Sequence, residues 1–114
     1  MDEFRGIVLY NIERNGNLNG VYTNNHPVTE SRIFTETARL VDDTLIEGNT
    51  EIHIYESCYF DAINGGVNRN LTFRISDGII NAQWSIGEQI LFVGQGFQMN
   101  ERQIAITYER KKKL

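Results

Sequence analysis

Two carboxylates interrupt apolar alternations in this chain: Glu36 stands between Phe34 and Ala38, and Glu56 stands between Ile54 and Cys58. On an extended strand, side chains two apart share a face, so each carboxylate is expected to follow its apolar neighbours inward. A carboxylate in such a place is costly unless it is paired, protonated or hydrogen-bonded. If both turn inward they meet. A facing pair could work as acid and base, as in glycoside hydrolysis, or hold the polar end of a ligand. The plainer reading turns one outward at a bulge, or satisfies it with Arg39, Arg74 or water. No residue set combines a nucleophile, a base and an orienting group, so no catalytic residue is assigned.

The remaining reactive side chains are scattered. A zinc site needs three or four His, Cys or carboxylate ligands in tetrahedral reach. His26 falls in a turn, His53 in a strand and Cys58 five residues further on, so neither a metal nor a cofactor is expected. Cys58 is the single cysteine, which excludes an internal disulfide. It reads as an inert thiol, since it would need a nearby base to become a thiolate and His53 points to the opposite face. Glu51, His53, Tyr55, Ser57 and Tyr59 share one face of their strand. That stripe reads as a solvent or interface face, with Ile52, Ile54, Cys58 and Phe60 inside; the alternative has the stripe line a pocket. Gly94-Gln95-Gly96 opens no helix, so it is no phosphate loop, and its glycines suit a bulge or a barrel bend.

These residues need elements to carry them. Turn signals at Asn15-Gly16-Asn17, Asn24-Asn25-His26-Pro27, Glu47-Gly48-Asn49, Asn64-Gly65-Gly66, Asp77-Gly78, Gly87-Glu88 and Asn100-Glu101 divide the chain into runs of strand length. Eight strands are expected, over 4–13, 17–24, 32–41, 50–60, 70–76, 79–86, 89–98 and 102–110. The joints are short, so neighbours pair antiparallel; parallel pairing would need long crossovers. Residues 29–43 also carry helical spacing, but three Thr, Ile33 and Val41 favour a strand.

The alternation points Leu71, Phe73 and Ile75 to one face, and likewise Ile80, Ala82, Trp84 and Ile86, and Ile104, Ile106 and Tyr108. Closing the first strand on the last removes the exposed edges that eight short strands would otherwise present. The expected fold is all-β: one up-and-down antiparallel barrel domain spanning 1–114, with a two-sheet sandwich as the alternative. Ile7-Val8-Leu9-Tyr10 and Ile90-Leu91-Phe92-Val93 are apolar on both faces, which points to a homo-oligomer contact on their outer side.

Composition agrees. The chain of 114 residues holds 40 β-branched or aromatic residues against 13 Ala, Leu and Met, a balance that favours strands. Fifteen acidic residues outnumber eleven basic ones, which argues against a nucleic-acid partner. The basic end, Arg110 to Lys113, reads as a solvated tail. No apolar run approaches the roughly 20 residues that span a bilayer, and Met1-Asp2-Glu3-Phe4 lacks a secretory layout. A soluble cytoplasmic protein without a membrane partner is expected, although a mature secreted form would have the same composition.

The segment Asn15-Gly16-Asn17-Leu18-Asn19-Gly20-Val21-Tyr22 resembles the first hairpin of the avidin and streptavidin family, where a turn Gly precedes Leu-x-Gly-x-Tyr. Eight consecutive strands in a chain of this length also resemble the lipocalin-like barrels, the wider calycin group. The resemblance implies an up-and-down barrel with a small-molecule site at one open end. It places Tyr22 at the family's ligand-contacting Tyr and Asn24 where the family has a Ser. The first strand departs from the pattern, since the ligand-contacting Asn and Ser fall near Asp2 and Gly6. The family walls its pocket with several Trp, whereas this chain has only Trp84. Biotin binding is therefore not implied.

Together these readings favour a binding module for a small, largely apolar molecule. Tyr22, Trp84, Phe92 and Tyr108 would wall the site beside Asn24, with Glu36 or Glu56 as the polar handle. The alternative is an assembly protein with a filled core that acts through homo-oligomerisation, and a paired-carboxylate enzyme comes third.

Overall fold

The computed structural model describes residues 3–29, 32–61 and 65–112; of the positions read above, Met1, Asp2, Asn64 and Lys113 lie outside this range. Eight strands follow in order: β1 (Gly6–Ile12), β2 (Leu18–Asn24), β3 (Phe34–Glu47), β4 (Thr50–Asp61), β5 (Gly65–Ser76), β6 (Ile79–Ile86), β7 (Gln89–Asn100) and β8 (Gln103–Arg110). Each pairs antiparallel with the next, and β1 pairs with β8 through Gly6↔Tyr108 to Asn11↔Gln103, which closes the barrel. The sandwich alternative is thereby excluded. Among the described residues the only helix is a single 3-10 turn, Pro27–Thr29, so the segment with competing helical spacing is a strand from Phe34 onward.

Two strands run five residues or more past an expected end, each for a local reason. β3 continues to Glu47 because Val41, Thr44, Leu45 and Ile46 keep the backbone extended past two register shifts, at Leu40/Asp42 and Asp42/Leu45. These shifts break the period-two pattern, so alternation could not reveal this part of the strand. β5 begins at Gly65, in a stretch with little strand propensity, because β4 offers a partner along its whole length, from Glu51↔Ile75 to Asp61↔Gly65.

The barrel's middle is solid. Val8, Tyr10, Leu18, Ala38, Leu71, Phe73, Ala82 and Ile106 are buried there. The Tyr10 ring lies 6.1 Å from that of Phe73, which stands edge-on to Tyr55 at 5.1 Å. This run of three rings forms a plug between the two mouths. Val8 and Tyr10 point inward while Ile7 and Leu9 stay half exposed, which settles the face of β1 that its doubly apolar sequence left open.

Strand β4 corrects the expected facing. Tyr55 and Ser57 are buried and His53 and Tyr59 partly so, whereas Glu56 and Phe60 are exposed. From His53 to Tyr59 the polar and aromatic stripe is the inner face, where the Ser57 hydroxyl meets Glu36 and the Tyr55 hydroxyl meets His53, while Glu51 at its start is exposed. Ile52 is buried but stands apart from the central cluster. Gly94 and Gly96 also differ from expectation, since the β7 register runs unbroken past both. They are needed for space. A Cβ at Gly96 would lie 1.8 Å from the Ala105 carbonyl oxygen, and one at Gly94 would crowd the Thr107 carbonyl, Ile106 and Trp84.

Gly96→Ala is therefore expected to destabilise the fold by about 1–3 kcal/mol, as overpacking does. Gly66→Ala, where the nearest atom to a new Cβ is 3.5 Å away, serves as the control and should change stability far less. Urea denaturation of the two variants measures the difference, and equal effects would show that β7 and β8 do not rely on this close approach.

Candidate functional site

The mouth that gathers the chain ends is built around Glu36. Its side chain is inward and only 4% exposed, as its place between Phe34 and Ala38 predicts. The Ser57 hydroxyl donates to Glu36 Oε2 at 2.6 Å, and the Trp84 indole N–H donates to the same oxygen at 3.0 Å. Among the described residues no hydrogen bond reaches Oε1, and none of the ion pairs involves Glu36. The Tyr10 hydroxyl, buried in the plug, approaches the carboxylate as a third, weaker donor that falls short of full hydrogen-bond geometry. Burial pushes the Glu36 carboxyl above its ordinary range, and the Ser57, Trp84 and Tyr10 donors only partly oppose the shift. Desolvation therefore wins over hydrogen bonding here.

Aromatic rings stand above the carboxylate. Tyr22 on β2 lies 6.5 Å from Tyr108 on β8 and 6.1 Å from Tyr59 on β4. Tyr108 in turn lies 5.6 Å from Trp84 and 6.2 Å from Phe92. Register explains the convergence: Tyr22 pairs with Val8 and Phe34, Glu36 with Gly20 and Tyr59, and Trp84 with Leu71 and Phe92. Gly20 leaves room for the Tyr10 ring, which would lie 2.7 Å from a Cβ at that position. The hydroxyls at the rim are tied to the frame. Tyr22 donates to the Phe60 carbonyl, and Asn24 Nδ2 donates to the Tyr108 hydroxyl at 3.1 Å. Burial raises the Tyr108 phenol to about 12, despite the lowering effect of the Asn24 bond. Burial, reinforced by Tyr108 and Asp61, also raises the Tyr22 phenol well above its ordinary value. These phenols stay protonated at neutral pH and serve as hydrogen-bonding groups.

Six of the seven residues singled out from the sequence thus share this mouth: Tyr22, Asn24, Glu36, Trp84, Phe92 and Tyr108. Glu56 does not. It faces outward and pairs with Arg39 at 2.8 Å, with both side chains well exposed, so the two carboxylates never meet and no acid–base pair forms between them. Ser57 and Tyr59 stand beside Glu36 instead, on the stripe that the structure turns inward. Tyr10 was hidden in the doubly apolar first strand; its pairing with Gly20, a bulky ring beside a missing side chain, is the signal that could have located it.

Cations ring the outer edge. The Arg110 guanidinium lies 5.0 Å from the Phe4 ring centre, Arg32 lies 5.7 Å from Phe34 and Arg69 lies 5.6 Å from Tyr59. Such contacts contribute about 0.5–1 kcal/mol each at exposed sites, and they hold the rim aromatics in place. Chemically, the mouth offers one buried carboxylate, neutral hydroxyls and ring faces. Among the described residues no group of three or more His, Cys, Asp or Glu is placed to hold a metal.

Because the folded protein holds the Glu36 proton more tightly than the unfolded chain, ionising this group opposes folding. Its contribution is most favourable below the ordinary carboxylate value of 4.5. It is lost as pH rises from there through the raised folded value, and is constant above it. The stability of the wild type relative to Glu36→Gln is therefore expected to fall over that window. Thermal melts of both proteins across a pH series test this, and parallel pH profiles would show that the buried carboxyl is not the source.

No family model, curated protein or solved structure matches the chain.

Proposed function

We propose that the protein is a binding module for a small, largely apolar molecule held at the Glu36 mouth. The closed eight-stranded barrel is consistent with a calycin-like ligand-binding fold. The observation that supports the reading best is the Glu36 carboxylate: deeply buried, held through one oxygen by Ser57 and Trp84, and without a counter-cation among the described residues. A buried, perturbed carboxylate beneath a ring of aromatic side chains fits ligand binding better than core packing. Tyr22, Tyr108, Trp84 and Phe92 supply apolar contact, while Glu36 and Asn24 orient the ligand's polar end.

A second reading, homo-oligomerisation, is favoured by one specific row on the outer surface. Val21, Leu9, Ala105, Phe97 and Ile79 are successive register partners across β2, β1, β8, β7 and β6. Four of them are exposed large apolar residues. This row crosses five strands and centres on β1 and β8, with Phe97 rather than Leu91 as the β7 contact. Contiguous apolar surface of this kind marks association sites, and ligand binding and self-association can coexist on opposite faces of one barrel wall.

Native mass spectrometry of freshly purified protein should show a co-purified small molecule, and 8-anilinonaphthalene-1-sulfonate should quench Trp84 emission by energy transfer. Glu36→Gln should weaken retention of the co-purified molecule by tenfold or more, the scale of a lost hydrogen bond to a charged group, with the β-sheet circular dichroism unchanged. A bare protein mass together with a silent Trp84 would overturn the binding reading. For the assembly reading, Leu9→Asp or Phe97→Asp should shift sedimentation toward monomer; a wild type already monomeric at high concentration would overturn it.

A further inference from the structure

The opposite mouth, where the β1–β2, β3–β4, β5–β6 and β7–β8 turns gather, holds a cavity of about 200 Å3 on the far side of the aromatic plug. Its floor is Tyr55 and Phe73, its walls include Ile12, Leu18 and Ile104, and Asp43, His53 and Gln98 supply polar groups. A dry cavity of about 150 Å3 lined by Leu, Ile and Phe binds benzene, so this one has room for one six-membered ring and a short extension.

Its polar edge is built in detail. The double register shift of β3 falls here, at Leu40/Asp42 and Asp42/Leu45. Asp42 fixes the bend by accepting hydrogen bonds from the Thr44 amide at 2.8 Å and the Thr44 hydroxyl at 2.7 Å. Bulges commonly re-aim a side chain beside a binding site, and the carboxylate this one leaves at the cavity is Asp43. Behind it the Tyr55 hydroxyl lies 3.4 Å from His53 Nδ1, and His53 Nε2 lies 3.5 Å from Glu51.

Charge distinguishes the two ends. The Glu36 mouth is rimmed by Arg32, Arg69 and Arg110. At the turn end acidic side chains outnumber basic ones: β3 and β4 bring Asp42, Asp43, Glu47 and Glu51, and Asp77 stands in the β5–β6 turn, while Arg14 and Arg102 stand beside Glu13 and Glu101 in their own turns and Arg74 is held by Glu47 at 3.3 Å. A cleft whose rim carries an excess of one sign of charge attracts the opposite sign.

We propose that the turn-end mouth is a second binding site, for a small organic amine whose ring or short alkyl chain fills the cavity while its ammonium group sits at the Asp43 carboxylate. The site is independent of the Glu36 mouth, from which the plug separates it.

The test is an NMR titration of the full chain with benzylamine, benzyl alcohol and benzoate at neutral pH. With benzylamine, the methyl signals of Ile12, Leu18 and Ile104 and the ring signals of His53 should move saturably, while the Trp84 indole N–H at the other mouth stays in place. Benzylamine should bind roughly fivefold tighter than benzyl alcohol, the size of one ion pair near the surface, and benzoate should bind weakest. Asp43→Asn should bring the amine down to the alcohol's affinity and leave the alcohol unchanged. Failure of all three probes to move the turn-end signals would overturn the site, as would movement at Trp84 instead. Benzoate binding as well as benzylamine, or an amine preference that survives in Asp43→Asn, would overturn the ligand class. Movement at Trp84 would place the probe at the Glu36 mouth; the other outcomes leave that mouth untouched, since it is tested by Trp84 emission and a co-purified mass.

Discussion

The β1–β8 ladder is the constraint on which everything else rests. Without it β1 and β8 would each present a row of unpaired backbone groups to solvent. With it, the inner face of every strand looks onto the same enclosed space. Closure also brings residues far apart in the chain together: Val8 stands beside Ile106, and Gly6 takes the Tyr108 ring, whose atoms would lie within 2.5 Å of any Cβ there. Tyr108 reaches Tyr22 and Asn24 only because the two chain ends meet.

Within that enclosure the Glu36 carboxylate works against stability. Its two hydrogen bonds to Ser57 and Trp84 offset part of the desolvation penalty and leave the rest, as the raised proton affinity records. A core built only for stability would place an apolar residue here, since well-packed apolar substitutes for buried charge are often neutral or favourable. The surroundings are arranged to keep the carboxylate nonetheless: a serine on β4 and an indole on β6 aim at one oxygen from different walls. Proteins tend to retain local conflict of this kind where function requires it.

Much of this was legible in the sequence, and the failures have physical causes. The turn dipeptides and short joints implied the strand order and its antiparallel pairing, and Glu36 was placed correctly because Phe34 and Ala38 flank it in clean alternation. Strand β4 was misread because its interior side carries His53, Tyr55, Ser57 and Tyr59 while its exterior carries Ile54 and Phe60. A polar inner face inverts the rule that apolar residues mark the inside, and Glu56 was assigned inward for that reason alone. The β3 extension was missed because a bulge abolishes the alternation by which strands are recognised. The glycines of β7 looked like a bend, but the crowding that requires them comes from β8 and β6, which no local pattern reveals.

The tilted rings of Tyr10, Phe73 and Tyr55 set a diaphragm across the barrel, so that it is no open pipe. A solute that enters the turn-end hollow must leave by the same rim, and transit along the axis is closed as long as these rings hold their places. The diaphragm also joins what it divides: Tyr10 touches the environment of Glu36 on one side, and Tyr55 floors the opposite hollow on the other. A displacement of Phe73 would therefore be felt at both ends of the barrel at once.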